Sequence, residues 1–192
     1  MAHCYVIGGG PSLAGFDFGA LPDGYRIGAN KSAWLAGCDA LVTVDRNFHR
    51  KFLDRVSTFR DRAFVALPDA PPRRAPEVNY WHLERGEGMS ETWGTLRGSN
   101  SGFAALNLAV LMGYTEIALL GFDFQWSDSR SHFHDGYAGQ NRNADRHLNT
   151  WVKAFERAKG TLWTRGVRVT SFVGPQGSRL RVFPTLPLAE LT

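Results

Sequence analysis

A chain of 192 residues with 43% hydrophobic content has the length of one globular domain and can bury a sizeable core without staples. Two cysteines exclude a disulfide scaffold, and no apolar run is long enough to span a bilayer. The net charge of +4, with a pI near 9.3, admits an anionic partner without being a signature of nucleic-acid binding.

The first residues show no basic region followed by an apolar segment, so a cytoplasmic protein is expected. Cys4 and Cys38 each lie in or beside a predicted strand and read as buried free thiols. There is no repeat and no low-complexity segment, so residues 1–192 are read as a single domain.

In chain order, Cys4–Ile7 is a short apolar strand that runs into Gly8-Gly9-Gly10-Pro11-Ser12-Leu13. A strand followed by a glycine-rich turn lets a phosphate or ribose approach the backbone. The spacing is not the dinucleotide fingerprint, because position 13 is Leu and Pro11 lacks an N–H. It is not a P-loop either, since the Lys and second Gly are missing. Tyr25–Ala29 is the second strand, ending at Asn30, and Ala40–Val44 the third, ending at Asp45. A polar residue after a strand is commonly a turn former. Several strands ending this way beside a glycine turn point to one ligand-binding rim. Asn47–Ser57 has Phe48, Phe52, Leu53 and Val56 at helical spacing, and its basic residues read as a solvated face. Phe64–Leu67 and Val78–Leu83 are further strands, separated by a proline-rich loop with Arg73 and Arg74. Arg85–Leu96 is broken by glycines and leads to Arg97, where a guanidinium could pair with phosphate or carboxylate.

The central unit is Gly98–Asp123. Gly98, Ser99, Asn100, Ser101 and Gly102 cap an apolar helix over Phe103–Met112, which Gly113 ends. Glu116–Gly121 is an almost continuously apolar strand, and Asp123 follows it. In open α/β sheets ligands bind outside the carboxyl ends of the strands, and a helix N-terminus suits an anion. A phosphate is therefore expected at Ser101 and Gly102. A bulky side chain at Gly102 is expected to block it while the fold survives. Phe124–Gly139 is polar and aromatic and reads as a loop over the site, with Asp128, His132, His134 and Asp135. His132 and His134 could ligate a metal, yet no third ligand is placed; a histidine general base is the better reading. Asp145–Lys159 is a helix with Leu148, Trp151, Val152 and Phe155 facing inward. Val167–Val173 is the last strand, and Gly174–Thr192 is expected along the sheet edge.

Taken together, GGGPSL after the first strand, Asn30 after the second and SGFAALNLAVLMGYTEIALLGFDF resemble two groups. One is the bacterial sialyltransferases of glycosyltransferase family 42. The other is the related domain typified by archaeal 6-hydroxymethylpterin diphosphokinase. The resemblance runs from Val6 to about Leu188 and implies a single Rossmann-like α/β domain, with a mainly parallel sheet and helices on both faces. It implies that Gly8, Gly9, Gly10, Pro11, Ser12 and Asn30 hold the CMP part of a donor, with Asn100, Ser101 and Gly102 lining the same site. Asp123 is then near the nucleotide. Ser131-His132-Phe133 matches a Ser-His-aromatic step whose histidine is the general base, and Arg97 corresponds to an Arg upstream of the Ser-Gly turn. Gln125 stands where the sialyltransferases have Tyr, and the stretch from Asp123 to His132 is short. Asp45 stands where they have Asn, which is closer to the diphosphokinase-like branch.

The expected function is glycosyl transfer from a nucleotide-activated sugar to a hydroxyl, with His132 as base and no cofactor required. The acceptor is a glycan or a modified nucleic-acid base. The alternatives are a diphosphokinase or other phosphoryl transferase with Mg²⁺ on Asp45 and Asp123, or a nucleotide-binding module without catalysis. No membrane span is expected, and the oligomeric state is left open, a homo-oligomer included.

Overall fold

The computed structural model describes residues 3–71, 73–84, 86–125, 132–134 and 144–191, the first three of the last segment by backbone alone. The strands are β1 (His3–Ile7), β2 (Tyr25–Ala29), β3 (Ala40–Thr43), β4 (Ala63–Leu67), β5 (Asn79–Glu84), β6 (Thr95–Arg97), β7 (Glu116–Leu120), β8 (Arg168–Val173) and β9 (Thr185–Pro187). They form one sheet in the order β6-β5-β4-β3-β2-β1-β7-β8-β9, and every pairing is parallel. The helices are α1 (Ser32–Leu35), α2 (Arg46–Ser57), α3 (Ser101–Leu111) and α4 (Ala144–Thr164). This is a Rossmann-like α/β domain. No helix among the described residues is long and apolar enough to cross a membrane.

The apolar runs explain the sheet. β3 and β4 are buried at every position, as strands covered on both faces must be. Alternate side chains divide between the layers. Cys4 and Val6 of β1 join Ile27, Val42 and Phe64 in the core beneath α3 and α4. Tyr5 and Ile7 point the other way, into a smaller cluster with Leu13, Leu21 and Leu120. On that same face, α1 and α2 pack Ala33, Phe48 and Val56 against Leu41 and Val65. Cys4 is buried and Cys38 partly so; both are free, and burial pushes both thiols up to about 12, so they stay protonated.

Helix α3 is buried almost all round, because the sheet lies under it and α4 over it. Its one polar interior residue, Asn107, accepts hydrogen bonds from Ser90 and Arg97 N–H and donates to the Ser90 carbonyl. That fixes the glycine-broken segment, and β6 forms there although its three residues give no strand pattern. Phe155 joins α4 to this layer, with ring centroids 5.1 Å from Phe103 and 5.6 Å from Phe122. The expected inward face of α4 divides: Phe155 is core and Val152 packs against it, whereas Leu148 and Trp151 face a cavity; Ala158 and Leu162 extend the core side. As expected, the C-terminal segment lies at the sheet edge, where β9 pairs with β8.

After β6 the chain crosses back through α3 to place β7 on the far side of β1. The strand order therefore reverses at the β1/β7 pair, where α/β sheets form ligand crevices. On the other side of β1, α1 lies directly on β2. A Cβ on Gly28 would collide with the backbone of Ala33. Gly28→Ala is expected to destabilise the protein by about 1–3 kcal/mol, the usual cost of overpacking, read as a lower urea midpoint with unchanged m-value. An unchanged midpoint would show that α1 is not packed this closely.

Candidate functional site

A cavity of about 710 Å³ opens at the carboxyl ends of β1, β2 and β3. Its rim gathers Gly8, Gly9, Gly10, Asn30, Asp45, Asn100, Ser101, Gly102 and His132. Those expected site residues, scattered over 125 positions of sequence, meet in one place because each ends a strand or begins a helix. His132 is the exception and arrives from the segment after β7.

The floor is set by the glycine turn. Gly8 and Gly10 donate N–H bonds of 2.8 Å to the carbonyls of Leu120 and Gly121, which lays the turn against the end of β7. A Cβ on Gly8 would come within 2.6 Å of the Gly121 oxygen, and one on Gly10 would collide with the Asp123 carboxylate. Asp123 then fastens the turn: Ser12 donates its N–H (2.8 Å) and its hydroxyl (2.7 Å) to the two carboxylate oxygens. Asp123 is 1% exposed, and burial raises its pKa against the lowering effect of the Ser12 bonds. It does not line the cavity, and neither do Pro11 and Ser12. The structure thus places Asp123 beneath the turn, each carboxylate oxygen accepting from Ser12, and not on the cavity lining.

The wall is built by Asn30 and Ser101. Asn30 adopts φ +54°, a left-handed conformation that Asn tolerates better than most residues. Its side-chain oxygen accepts from the Ser101 hydroxyl at 3.0 Å, and that hydroxyl accepts from Val44 N–H at 3.1 Å. Ser101 thus ties the ends of β2 and β3 to the start of α3. Asn100 caps α3 by accepting from Phe103 N–H at 2.9 Å, while Ala104 N–H reaches the Asn100 carbonyl. The N–H groups of Ser101 and Gly102 precede any intrahelical acceptor. Asp45 caps α2 in the same way, accepting from Asn47 and Phe48 N–H. The cavity therefore receives the positive ends of two helices.

Gly102 has a second reason for its size. A Cβ there would come within 2.7 Å of the Phe122 ring, so a bulky substitution would disturb the packing of α3 as well as the cavity. A loss of ligand affinity in such a variant would therefore report on packing as well as on the site. Arg97 is also placed elsewhere. Its Nε donates to Glu84 at 2.7 Å and its Nη1 to the Glu87 carbonyl, and it does not line the cavity. The hydrogen bond from Arg97 lowers the Glu84 pKa and raises that of Arg97. The register of β5 and β6 puts the two opposite each other, so Arg97 is an ion-pair partner on the sheet and not a phosphate ligand of this cleft.

His132 lies on the glycine turn. A Cβ on Gly9 would come within 2.5 Å of its ring, and Phe133 N–H donates to the Gly9 carbonyl at 2.9 Å. Burial, followed by the charges of His134 and Lys31, holds its pKa down to about 4, so the imidazole is neutral at pH 7. The His134 ring is 5.4 Å away and also faces the cavity. Among the described residues no three His, Cys, Asp or Glu side chains converge as a metal site. Ser131, Asp128 and Asp135 lie outside the described residues.

Sequence reasoning missed much of the rest of the lining. Arg46 and Asn47 enter from the first turn of α2, where the cap at Asp45 was the available signal. Phe122 follows β7, and His147, Leu148 and Trp151 come from α4; Phe124 and Gln125 belong to the stretch expected as a loop over the site and do line the cavity. Phe124 has φ +49°, which costs a bulky residue roughly 1–3 kcal/mol, and its ring is held 5.6 Å from Phe155.

Fold and site together define an α/β protein with a cleft at the carboxyl ends of its strands, where two helices begin. Compared with family models, with curated proteins and with solved structures, the chain gives no significant match. If Asp123 acts as the brace of the glycine turn, Asp123→Ala should lower stability by about 1.5–3 kcal/mol in chemical denaturation, the range for hydrogen bonds to a charged group. Loss of ligand affinity with unchanged stability would instead make it a site carboxylate.

Proposed function

We propose that the protein is a transferase that binds a nucleotide-activated sugar, of the CMP-linked kind, and passes the sugar to a hydroxyl acceptor. The observation that carries this reading is the seating of His132 against Gly9, which sets a neutral imidazole beside the turn and helix termini that attract a phosphate. The cavity volume suits a ligand of nucleotide size. Phe122, Phe124 and Trp151 give it apolar walls against which a base can pack.

In this reading the donor phosphate lies at the N–H groups of Ser101 and Gly102. The acceptor hydroxyl oxygen attacks the anomeric carbon while His132 takes its proton. The bond from that carbon to the phosphate oxygen breaks, and the electron pair leaves with the nucleotide. Backbone N–H groups already aimed at the departing oxygen stabilise the charge that develops there. A phosphate bound beside His132 also raises the histidine pKa, which strengthens it as a base in the complex. The phosphoryl-transfer alternative needs Asp45 and Asp123 on one metal ion. Asp123 has both oxygens on Ser12 and Asp45 caps α2, so the residues described fit that chemistry less well.

His132→Asn is expected to lower transfer about 10²–10⁴-fold while leaving CMP affinity within a small factor, measured by donor turnover and by calorimetry. Full transfer activity in the variant would remove the general-base role. Stabilisation by ATP with Mg²⁺ but not by CMP would favour phosphoryl transfer; a ligand at about 100 times its Kd adds roughly 2.7 kcal/mol.

A further inference from the structure

The charge of the chain is unevenly placed. Residues 46–74 hold eight of the 22 Lys and Arg but only three of the 18 Asp and Glu, an excess of five against four for the whole chain. The remainder therefore carries no net positive charge. Arg60 and Arg62 precede β4, and Arg62 acts on Tyr25 at the start of β2, so that pair lies at the end of the sheet away from the cavity. The others are on α2 or in the loop after β4, and most gather at the cavity end.

Side-chain contacts gather several of these cations in two groups, one beside Phe52 and one beside Tyr80. Lys31 and Lys51 each place their Nζ 5.4 Å from the centre of the Phe52 ring. Arg74 lies 5.0 Å from the Tyr80 ring, and the Tyr80 hydroxyl is 3.2 Å from His49 Nε2. Burial lowers the His49 pKa, and the charges of Arg46 and Arg73 lower it further. Arg50, Lys51, Arg73 and Arg74 are exposed. Arg46 meets Asp69 at 3.5 Å in a solvent-exposed pair, which is worth little. Stacking on aromatic rings holds long cationic side chains in place and leaves their charged heads outward.

The surface is continuous with the cleft. Arg46 and Asn47 line the cavity, and Arg50 and Lys51 follow about one helical turn along α2. Such a concentration of exposed cations suits a polymer of closely spaced phosphates, about one charge per 1.7 Å of duplex axis.

We propose that the rim formed by Arg50, Lys51, Arg73 and Arg74, with Lys31 beside Phe52 and Arg46 at the cavity mouth, binds the phosphodiester backbone of a nucleic acid. The surface stands on charge and geometry alone. Its use in presenting an acceptor base to the cleft rests on the transferase reading, and binding can be measured with no donor present.

The test is fluorescence anisotropy of the full chain with labelled single-stranded and duplex DNA, between about 50 and 200 mM salt. With about four to five phosphates neutralised, log K against log salt should fall with a slope of about −3 to −4.5 across strand types. Arg50→Glu/Lys51→Glu/Arg73→Glu should weaken binding at least about 100-fold and reduce the slope by about 3. Lys153→Glu/Lys159→Glu, an equally exposed pair on α4, should cost little. The neutral triple variant with Gln at the same positions repeats the test should the reversed one fail to fold, as judged by circular dichroism. Absence of DNA binding at low salt would overturn the proposal, as would equal losses in the rim and α4 variants. An anionic polysaccharide that outcompetes DNA with the same dependence on the rim would overturn it in favour of a glycan surface. Should DNA binding fail while transfer to another acceptor persists, the proposal falls and the transferase reading stands.

Discussion

The cleft depends on how closely the turn after β1 approaches the end of β7. Two N–H bonds from Gly8 and Gly10 to Leu120 and Gly121 bring the two backbones together, at a separation that a Cβ on Gly8 would violate. Asp123 holds that approach by accepting from both Ser12 donors in a buried setting. A buried carboxylate is costly unless its oxygens are hydrogen-bonded, so this clamp is stable only with the turn in place. His132 can dock on Gly9 only because the turn is bare of side chains and fixed in position.

A second set of bonds shapes the opposite wall. Ser101 links Asn30 of the β2 end with the Val44 N–H of the β3 end, and it does so from the first residue of α3. The helix N-terminus therefore cannot drift from the strand ends that form the rim. Asp45 and Asn100 cap α2 and α3 with side-chain oxygens, which leaves only the outermost N–H groups directed at the cavity. Preorganised donors of this kind cost no rearrangement when an anion arrives.

Much of this was legible in the sequence. β2 was read to the residue, and the glycine turn, Asn30, Asp45 and the start of α3 were read as one rim because strand ends and helix starts share an edge in a parallel sheet. The failures arise where the deciding partner is distant along the chain. Asp123 follows a strand as a site carboxylate does, but Ser12, 111 positions away, takes both its oxygens. Arg97 precedes the Ser-Gly turn, but the β5–β6 register hands its guanidinium to Glu84. β6 itself has only three residues and forms because Asn107 of α3 holds Arg97 and Ser90. In α4, the apolar pattern marks one face of a helix; it does not tell that Leu148 and Trp151 overhang a cavity while Phe155 fills the core.

The central claim is that this cleft receives a nucleotide with its phosphate at the start of α3. A crystal structure of the protein with CMP tests it most directly. The account predicts phosphate oxygens within hydrogen-bond distance of the Ser101 and Gly102 N–H groups, with the base between the strand ends and the aromatic wall. A phosphate bound away from α3, or an empty cleft at a CMP concentration that saturates binding in solution, would contradict it.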